Sequence, residues 1–435
     1  MVEYMPNKKV VIVGGGFGGL NVAKNLKKCP LDILLIDKTN HHLFQPLLYE
    51  VASAALSPGE IAIPIREILR KQDNATVMMG DIVQVDKKNH QLTLANGEKV
   101  TYDYLVLAVG ARHSYFGKDE WEQFAPGLKT IKDALTIREE ILISFEKAER
   151  LDNKAETEKY LNFVIIGGGP TGVEMAGAIS EIAQKTMFKN FRRIKPEESK
   201  IFLVEAAPRI LQAFPEKLSK KAKEGLEKLG VTVIEGKKVT NITEDGVQVE
   251  ETFYPCKNII WAAGNQASPL LKTLDVPLDR QGRVIVEPDL SIPGYSEIFV
   301  IGDAATAMGK DGKPLPGVAP VAIQEGRYVA SILKQQLSKE QRPPFVYFDK
   351  GSLATIGKGK AIAWVGKIQL YGVLAWFMWC FVHVAYLIGF RNRLSVMFEW
   401  FIFYLTGQRG ARLIYSSVET HLQNRYMIEQ PRNLV

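Results

Sequence analysis

Residues 10–26 read VVIVGGGFGGLNVAKNL, and residues 31–37 read LDILLID. The opening run is β-branched throughout and suits a short buried strand. Gly14, Gly16 and Gly19 follow in G-x-G-x-x-G spacing, and the residues after them suit a helix leading to a second apolar strand that ends on Asp37. Each part has a physical task. Gly14 permits the tight turn, Gly16 lets backbone approach a pyrophosphate, and Gly19 lets the helix pack on the sheet, with its N-terminal N–H groups aimed at the phosphates. Asp37 lies 23 residues past Gly14, where a carboxylate accepts hydrogen bonds from a ribose diol. Glycine turns are common, so the motif alone is weak. Strand before, helix after and acid at the right distance make it a dinucleotide site.

A chain of 435 residues should hold two or three domains, and 46% hydrophobic residues suffice for large cores. The three cysteines, Cys29, Cys256 and Cys380, are isolated in sequence. That spacing argues against a disulfide framework, a zinc site and a dithiol redox centre. A core strand beginning within ten residues of the start leaves no room for a signal peptide, so a cytoplasmic chain is expected. The net charge of +7 suggests an anionic partner: a membrane surface, phosphate-bearing cofactors or nucleic acid. No nucleic-acid module is visible, and no nucleic-acid partner is expected.

After Asp37 come His41 and His42 and the run F-Q-P-L-L-Y-E-V-A. Vicinal histidines diverge and no carboxylate stands at ligand spacing, so capping or surface roles outweigh a metal, and none is expected. Pro46 fits a helix start. Residues 77–85 read as one strand. Residues 91–94 and 99–102 flank Asn96-Gly97 and predict a hairpin with a type I′ turn. Residues 104–109 form a buried strand ending at Gly110, residues 136–148 carry the apolar stripe of a helix, and the charged residues 152–159 read as a linker.

The pattern then starts again. Residues 163–166 form a strand, and Gly167, Gly169 and Gly172 repeat the glycine spacing 153 residues on. A second strand ends on Glu205, and an apolar strand ends at Gly264, which lies 154 residues after Gly110. The acids Asp37 and Glu205 are 168 residues apart, because a polar, basic insertion over residues 185–200 lengthens the second helix or its loop. This is an internal duplication of one dinucleotide-binding plan. Glu205 would bond a 2′-hydroxyl and repel a 2′-phosphate, favouring NADH over NADPH, with Arg209 close enough to weaken that preference. Glu174, early in the second glycine helix, has two readings: a carboxylate placed by the helix dipole, or one placed for chemistry. S-E-I-F-V-I-G-D (residues 296–303) ends on Asp303, suited to a polyhydroxyl chain, and a helix carrying Gln324 follows. These segments are expected to return to the first domain, making the second an insertion.

The tail changes character near Phe345. Residues 370–390 run 21 residues without a formal charge, and a second aromatic cluster occupies residues 396–405. The length permits a membrane span. Lys358, Lys360 and Lys367 before the run and Arg391 and Arg393 after it give no orientation, and the second cluster is too short to return. Two helices lying in one interface fit better, with Trp376, Trp379 and Trp400 at the boundary and Arg391, Arg393, Arg409 and Arg412 at headgroup level. The alternative is a buried core or dimer helix. His383 could face an acceptor's entrance, make an inward hydrogen bond or form a buried dimer contact.

The glycine loop, the F-Q-P-L-L-Y-E-V-A run, L-A-V-G-A (residues 107–111), G-G-G-P-T-G-V-E (167–174), V-I-G-D-A-A (300–305) and F-R-N-R (390–393) resemble, over essentially the whole chain, the type II NADH:quinone oxidoreductases. The resemblance implies an α/β fold of two Rossmann-type dinucleotide-binding domains, the second inserted into the first, plus a C-terminal helical membrane-anchoring segment. The implied boundaries are residues 1–115 and 285–345 for an FAD domain, 116–284 for an NADH domain and 346–435 for the anchor. It implies FAD and NADH as cofactor and substrate, a membrane quinone as acceptor, contact with the bilayer surface and a homodimer. The implied location is the cytoplasmic side of the cell inner membrane, without proton pumping. Carried over by motif, Gly14, Gly16, Phe17, Gly19, Asp37, Lys38, Val83, Ala108, Gly110, Gly302, Asp303 and Ala319 would hold FAD. Gly167, Gly169, Gly172, Glu205 and Gly264 would hold NADH, and Glu174 and Gln324 would serve the chemistry, Glu174 at the nicotinamide end. Family members often carry A-Q-x-A-x-Q beside the quinone. Here the segment is A-P-V-A-I-Q, with Pro320 for the first glutamine, so that side chain's role does not transfer. Two rivals share the plan: a sulfide:quinone oxidoreductase, whose cysteine relay has no counterpart here, and an apoptosis-inducing-factor-like flavoprotein acting through partners. Bleaching by NADH or by sulfide separates the first, and slow quinone reduction with a long-lived reduced complex marks the second.

Overall fold

The computed structural model describes residues 7–415. The chain divides into two compact units. One is built from the segment ending at Leu43 with Ala62–Arg112 and Asn265–Lys350, the other from Phe44–Ile61, His113–Gly264 and the segment from Gly351 onward.

The first unit holds a six-stranded sheet in the order Ser291–Ile292, Tyr295–Val300, Tyr104–Leu107, Lys8–Val13, Leu31–Asp37, Ala75–Met79. Every neighbouring pair is parallel except the Ser291–Ile292 edge. Val10, Val11 and Ile12 are wholly buried, as a parallel strand covered on both faces requires. Helix Phe17–Asn25 packs against helix Ala319–Gln335 so closely that a Cβ on Gly326 would collide with the Gly18 carbonyl oxygen. Residues 77–85, expected as one strand, are two. Ala75–Met79 ends before Gly80, and Ile82–Asp86 starts a separate antiparallel sheet with Gln91–Leu94 and Lys99–Thr101. At Gly80 a side chain would stand 2.8 Å from the Leu94 methyl group. The Asn-Gly turn also differs from expectation. Gly97 has φ 86° and Asn96 is not left-handed, so this is a type I turn closed by Gly97 N–H on the Leu94 carbonyl (2.9 Å) with a glycine bulge.

The second unit repeats the plan. Its parallel sheet runs Val231–Glu235, Lys200–Glu205, Asn162–Ile166, Asn258–Trp261, and a three-stranded antiparallel sheet (Val239–Thr243, Gly246–Val249, Thr252–Pro255) accompanies it. Helix Ile131–Arg150 starts with a capping box: Thr130 Oγ1 accepts from Asp133 N–H at 3.2 Å, and Asp133 returns a carboxylate oxygen to Thr130 N–H at 2.9 Å. The charged stretch read as a linker contains a helix, Lys154–Leu161, because Asn153 Oδ1 caps its first turn on Ala155 (2.9 Å) and Glu156 (3.3 Å). The basic insertion forms a π-turn over Ile182–Thr186 and then an irregular loop with one short turn, Pro196–Glu198.

The apolar tail begins as sheet. Ser352–Gly357, Lys360–Val365 and Ile368–Gly372 pair antiparallel, and Gly372, at φ 78°, turns the chain into helix Val373–Tyr386. Helix Phe390–Thr406 follows Gly389 at φ 90°. At 14 and 17 residues these helices are about 21 and 25 Å long, short of the roughly 30 Å hydrocarbon core. No helix of the described residues is long and apolar enough to cross a membrane.

Candidate active site

At the end of Lys8–Val13 the chain turns back on itself. A Cβ on Gly14 would collide with the Ala108 carbonyl oxygen, and one on Gly19 with the Gly14 carbonyl oxygen. Gly16, the N-cap of Phe17–Asn25, differs: a Cβ there meets nothing within 4 Å. Two glycines thus close the turn and the third leaves the helix N-terminus approachable by a phosphate. Asp37 ties the loop, accepting from Gly15 N–H at 2.6 Å and Thr39 N–H at 2.7 Å, and Lys38 beside it is exposed. His42, expected as a capping or surface residue, is buried and braces the loop. Its Nδ1 bonds the Gly15 carbonyl at 2.9 Å, its ring meets Phe17 edge-on at 5.2 Å, and its Nε2 is buried without a partner. Burial lowers its pKa and so favours the neutral ring. His41 turns instead to Asn40 at 3.1 Å. Among the described residues no group of three His, Cys, Asp or Glu could hold a metal. The orphaned His42 nitrogen and the open face of Gly16 both fit a bound dinucleotide.

Ala108 and Gly110 follow the neighbouring strand, and Val83 stands exposed on Ile82–Asp86. Gly302, at φ 69°, donates its N–H to Glu325 Oε2 at 2.5 Å just before Asp303. Burial pushes the Glu325 carboxyl up to about 8, with the Asp303 charge adding to it. Sequence reasoning missed Glu325, whose signal is an acid next to Gln324 on the apolar side of a helix. Ala319 and Pro320 open that helix, where proline's missing N–H has no intrahelical partner to lose. Gln324 spends its whole amide on Phe348: Nε2 donates to the carbonyl at 2.9 Å and Oε1 accepts from the N–H at 3.0 Å.

The second unit repeats the cradle. Gly167, at φ 112°, would place a Cβ 2.7 Å from the Ala262 carbonyl carbon, and Gly172 would collide with the Gly167 carbonyl oxygen. Gly169 again meets nothing within 4 Å. Glu205 accepts from Gly168 N–H at 2.6 Å and Ala207 N–H at 2.7 Å, the counterpart of Asp37. Arg209 is committed to three carbonyls, Leu211 (3.2 Å), Phe214 (2.9 Å) and Gln212 (3.0 Å), rather than to Glu205. Gly264, at φ 71°, leaves room for the Phe116 ring, which a Cβ would approach to 2.7 Å.

Glu174 stands one turn into helix Pro170–Glu181, half-buried, with Oε1 at 3.5 Å from Thr355 N–H. Desolvation raises its pKa well above the ordinary value, and the nearby Glu50 charge adds to the rise. It lines a cavity of about 30 Å³ with Tyr49, Glu50, Glu181, Trp379, Trp400 and Arg409 among others. Sequence reasoning passed over Glu50 and Glu181; Glu50 is the lone acid in F-Q-P-L-L-Y-E-V-A. The tail assignments need correction here. Trp379 and Trp400 are 1% and 5% exposed, and Arg409 is 4% exposed. Arg409 reaches inward to Glu181 (3.3 Å) and the Ser53 carbonyl (2.7 Å), so it does not stand at a headgroup level. Arg412 also caps protein carbonyls, those of Arg409 and Thr186. His383 bonds within its own helix: Nδ1 lies 2.7 Å from the Trp379 carbonyl one turn back, and burial pushes its pKa down to about 4. What faces outward is another stripe, including Leu374, Phe377, Phe381, Phe390, Phe398 and Phe401.

Two matching glycine cradles on parallel sheets define a dinucleotide oxidoreductase of duplicated plan. Comparison with known proteins agrees. Residues 8–326 match the pyridine nucleotide-disulphide oxidoreductase family, and residues 350–409 match the NDH2 C-terminal domain. The type II NADH:quinone oxidoreductase Ndh of Mycobacterium tuberculosis is 44% identical over 417 residues, 92% of this chain and 89% of that protein. Its NdhA counterpart is 45% identical over 427 residues, 94% and 90% of the two chains. The structure of NDH2 from Plasmodium falciparum in complex with NADH superposes with a TM-score of 0.85 at 22% identity, covering 94% of this chain and all of that one. The sulfide:quinone oxidoreductase of Aquifex aeolicus shares the fold at a TM-score of 0.72 and 20% identity, over 92% and 95% of the chains. The chain belongs to the type II NADH:quinone oxidoreductases, within the pyridine nucleotide-disulphide oxidoreductase family. It transfers reducing equivalents from NADH to quinone.

Proposed function

We propose that the unit carrying Lys8–Val13 binds FAD, that the unit carrying Asn162–Ile166 binds NADH, and that the protein works as a homodimer on the cytoplasmic surface of the inner membrane. The repeated cradle carries this reading: in each unit one glycine, Gly16 or Gly169, leaves a helix N-terminus approachable while its neighbours close the turn. Gly14, Gly16, Phe17 and Gly19 shape the FAD pyrophosphate site. Asp37 and Lys38 take the ribose end, Val83, Ala108 and Gly110 flank it, and Gly302, Asp303 and Ala319 meet the ribityl chain. Gly167, Gly169, Gly172 and Gly264 hold NADH. Glu205 selects it over NADPH by repelling a 2′-phosphate.

When bound, FAD supplies a carrier that takes hydride from NADH and passes electrons to quinone. The chain's own residues bind, orient and hold protons. Glu174 serves the nicotinamide end, and Gln324 acts by holding the Phe348 backbone. The thiols of Cys256 and Cys380, pushed up to about 12 by burial, favour this over a cysteine relay, which needs a stable thiolate. Gly16→Val should purify colourless, because the side chain would occupy the pyrophosphate's place. Gly169→Val should stay yellow, release its flavin on acid precipitation and resist bleaching by NADH. A yellow Gly16→Val protein, or a Gly169→Val protein bleached at the normal rate, would overturn the assignment.

A further inference from the structure

The cavity beside Glu174 contains an acid that the proposed chemistry does not yet use. Glu50 is 6% exposed. Its Oε1 accepts from the Tyr49 hydroxyl at 2.9 Å and its Oε2 from Trp400 Nε1 at 2.7 Å, both neutral donors. Glu181, on the same cavity, is differently placed: it accepts from Arg409 Nη2 at 3.3 Å and Lys358 N–H at 2.7 Å, with Lys185 Nζ at 3.9 Å. Arg409 also gives Nη1 to the carbonyl and hydroxyl of Ser53. Three carboxyls, one buried guanidinium and Lys358, whose ammonium donates to the Tyr404 carbonyl, therefore line the cavity, and Glu181 pairs with the guanidinium. Glu50 and Glu174 have no hydrogen-bonded cation of their own. Two acids on one small and largely buried cavity disfavour each other's charge, so the pair favours keeping a proton.

A second observation concerns what fills the space. Trp379 Nε1 and Arg409 Nε are buried donors without an acceptor, and both residues line the cavity. Its volume of about 30 Å³ exceeds the roughly 10–15 Å³ that one water needs. Room for a water beside two carboxyls suits a bridged acid pair. We propose that Glu50 is a proton store: Glu50 and Glu174 share one exchangeable proton through water in this cavity and release it to quinone reduction. The inference rests on the NADH:quinone activity and on the placing of Glu174 at the reaction. The balance closes. NADH contributes two electrons and one proton as hydride, the quinone needs two electrons and two protons to become quinol, and the pair supplies the second proton and refills from water.

The surroundings agree in direction. Burial pushes Glu50 up to about 7, against the bonds from Trp400 and Tyr49 and the Arg409 charge, which lower it, and with the Glu181 charge, which raises it. Burial, with the Glu50 charge adding to it, holds Tyr49, Tyr404 and the Cys380 thiol protonated. Infrared spectra of the flavin-loaded enzyme, titrated in pH, test the proposal. The protonated-carboxyl band that titrates near neutral pH in the wild type should lose its Glu50 component in Glu50→Gln, leaving the components of Glu174 and Glu325. Removing the like charge should also shift the alkaline limb of kcat with quinone downward by about one unit. Trp400→Phe, which takes one donor from Glu50, should move the band's midpoint upward. If the band and the pH profile are unchanged in both variants while NADH still reduces quinone, Glu50 is not the store. If the wild type reduces no quinone, the underlying activity fails instead.

Discussion

Both oxygens of Glu205 accept backbone N–H groups, from Gly168 and Ala207, so the residue proposed to select NADH also ties the loop. In Glu205→Gln the amide nitrogen would face one of those donors. The NADH KM should therefore rise, and the NADH/NADPH ratio of kcat/KM should fall by at least about tenfold as charge repulsion disappears. A rise in KM with an unchanged ratio would confine Glu205 to the loop. Glu325 makes a different prediction. Its folded pKa of about 8 exceeds the ordinary 4.5, so the folded protein keeps a proton that the unfolded chain has released. Stability from this group is full below the unfolded value and falls as pH climbs through about 8. Glu325→Gln keeps an oxygen for the Gly302 N–H and cannot titrate. Thermal melts from about pH 5 to about pH 8 should show the wild type losing ground to the variant; a constant difference would refute the raised pKa.

Helix Pro170–Glu181 is a good measure of how the tail is attached. A Cβ on Gly177 would collide with the Ile356 carbonyl oxygen of strand Ser352–Gly357. The C-terminal sheet thus lies directly on the helix that begins at the second glycine cradle. Gly177→Ala should cost about 1–3 kcal/mol and raise hydrogen exchange across residues 352–372. Gly59→Ala, where a Cβ meets nothing within 4 Å, is the control. Equal denaturant midpoints for the two variants would mean that the sheet yields without cost. The tail is clamped again at Phe44–Ile61, where Asn392 Nδ2 donates to the Gly59 and Glu60 carbonyls at 3.1 and 2.9 Å, and Ser395 Oγ to Glu60 at 2.6 Å.

The two tail helices are apolar on both sides. Ala375, Trp379, Val396 and Trp400 face inward, while Phe377, Phe381, Phe398 and Phe401 are 61%, 74%, 62% and 59% exposed. Exposed aromatics on helices too short to span fit the proposed seat at a lipid interface, where a hydrophobic quinone resides. Replacing those four phenylalanines with serine should lower co-sedimentation with anionic vesicles by at least about tenfold. Flavin content and ferricyanide reduction should persist, while turnover with long-tailed quinones falls. Undiminished vesicle binding would locate the membrane contact elsewhere.

The glycine spacing, the acids Asp37 and Glu205 and the repeat at 153 residues made the dinucleotide plan legible, because each is a local rule: a turn only glycine can make, and a carboxylate at a set distance along a strand. The cradles at Gly14, Gly16 and Gly19 and at Gly167, Gly169 and Gly172 have the shapes that spacing predicts. Periodicity could not say where the apolar tail bends, since a run without charges suits strand and helix alike. Gly372 and Gly389, at positive φ, set those breaks. Nor could it tell an inward tryptophan or arginine from an outward one. Arg409 reads as a lipid-facing cation until the fold brings Glu181 and Ser53 to it across more than two hundred positions. Glu50 likewise reads as an ordinary helical acid until Trp400 closes over it. Local chemistry is written residue by residue, but burial and charge pairing belong to whichever distant segments the fold brings together.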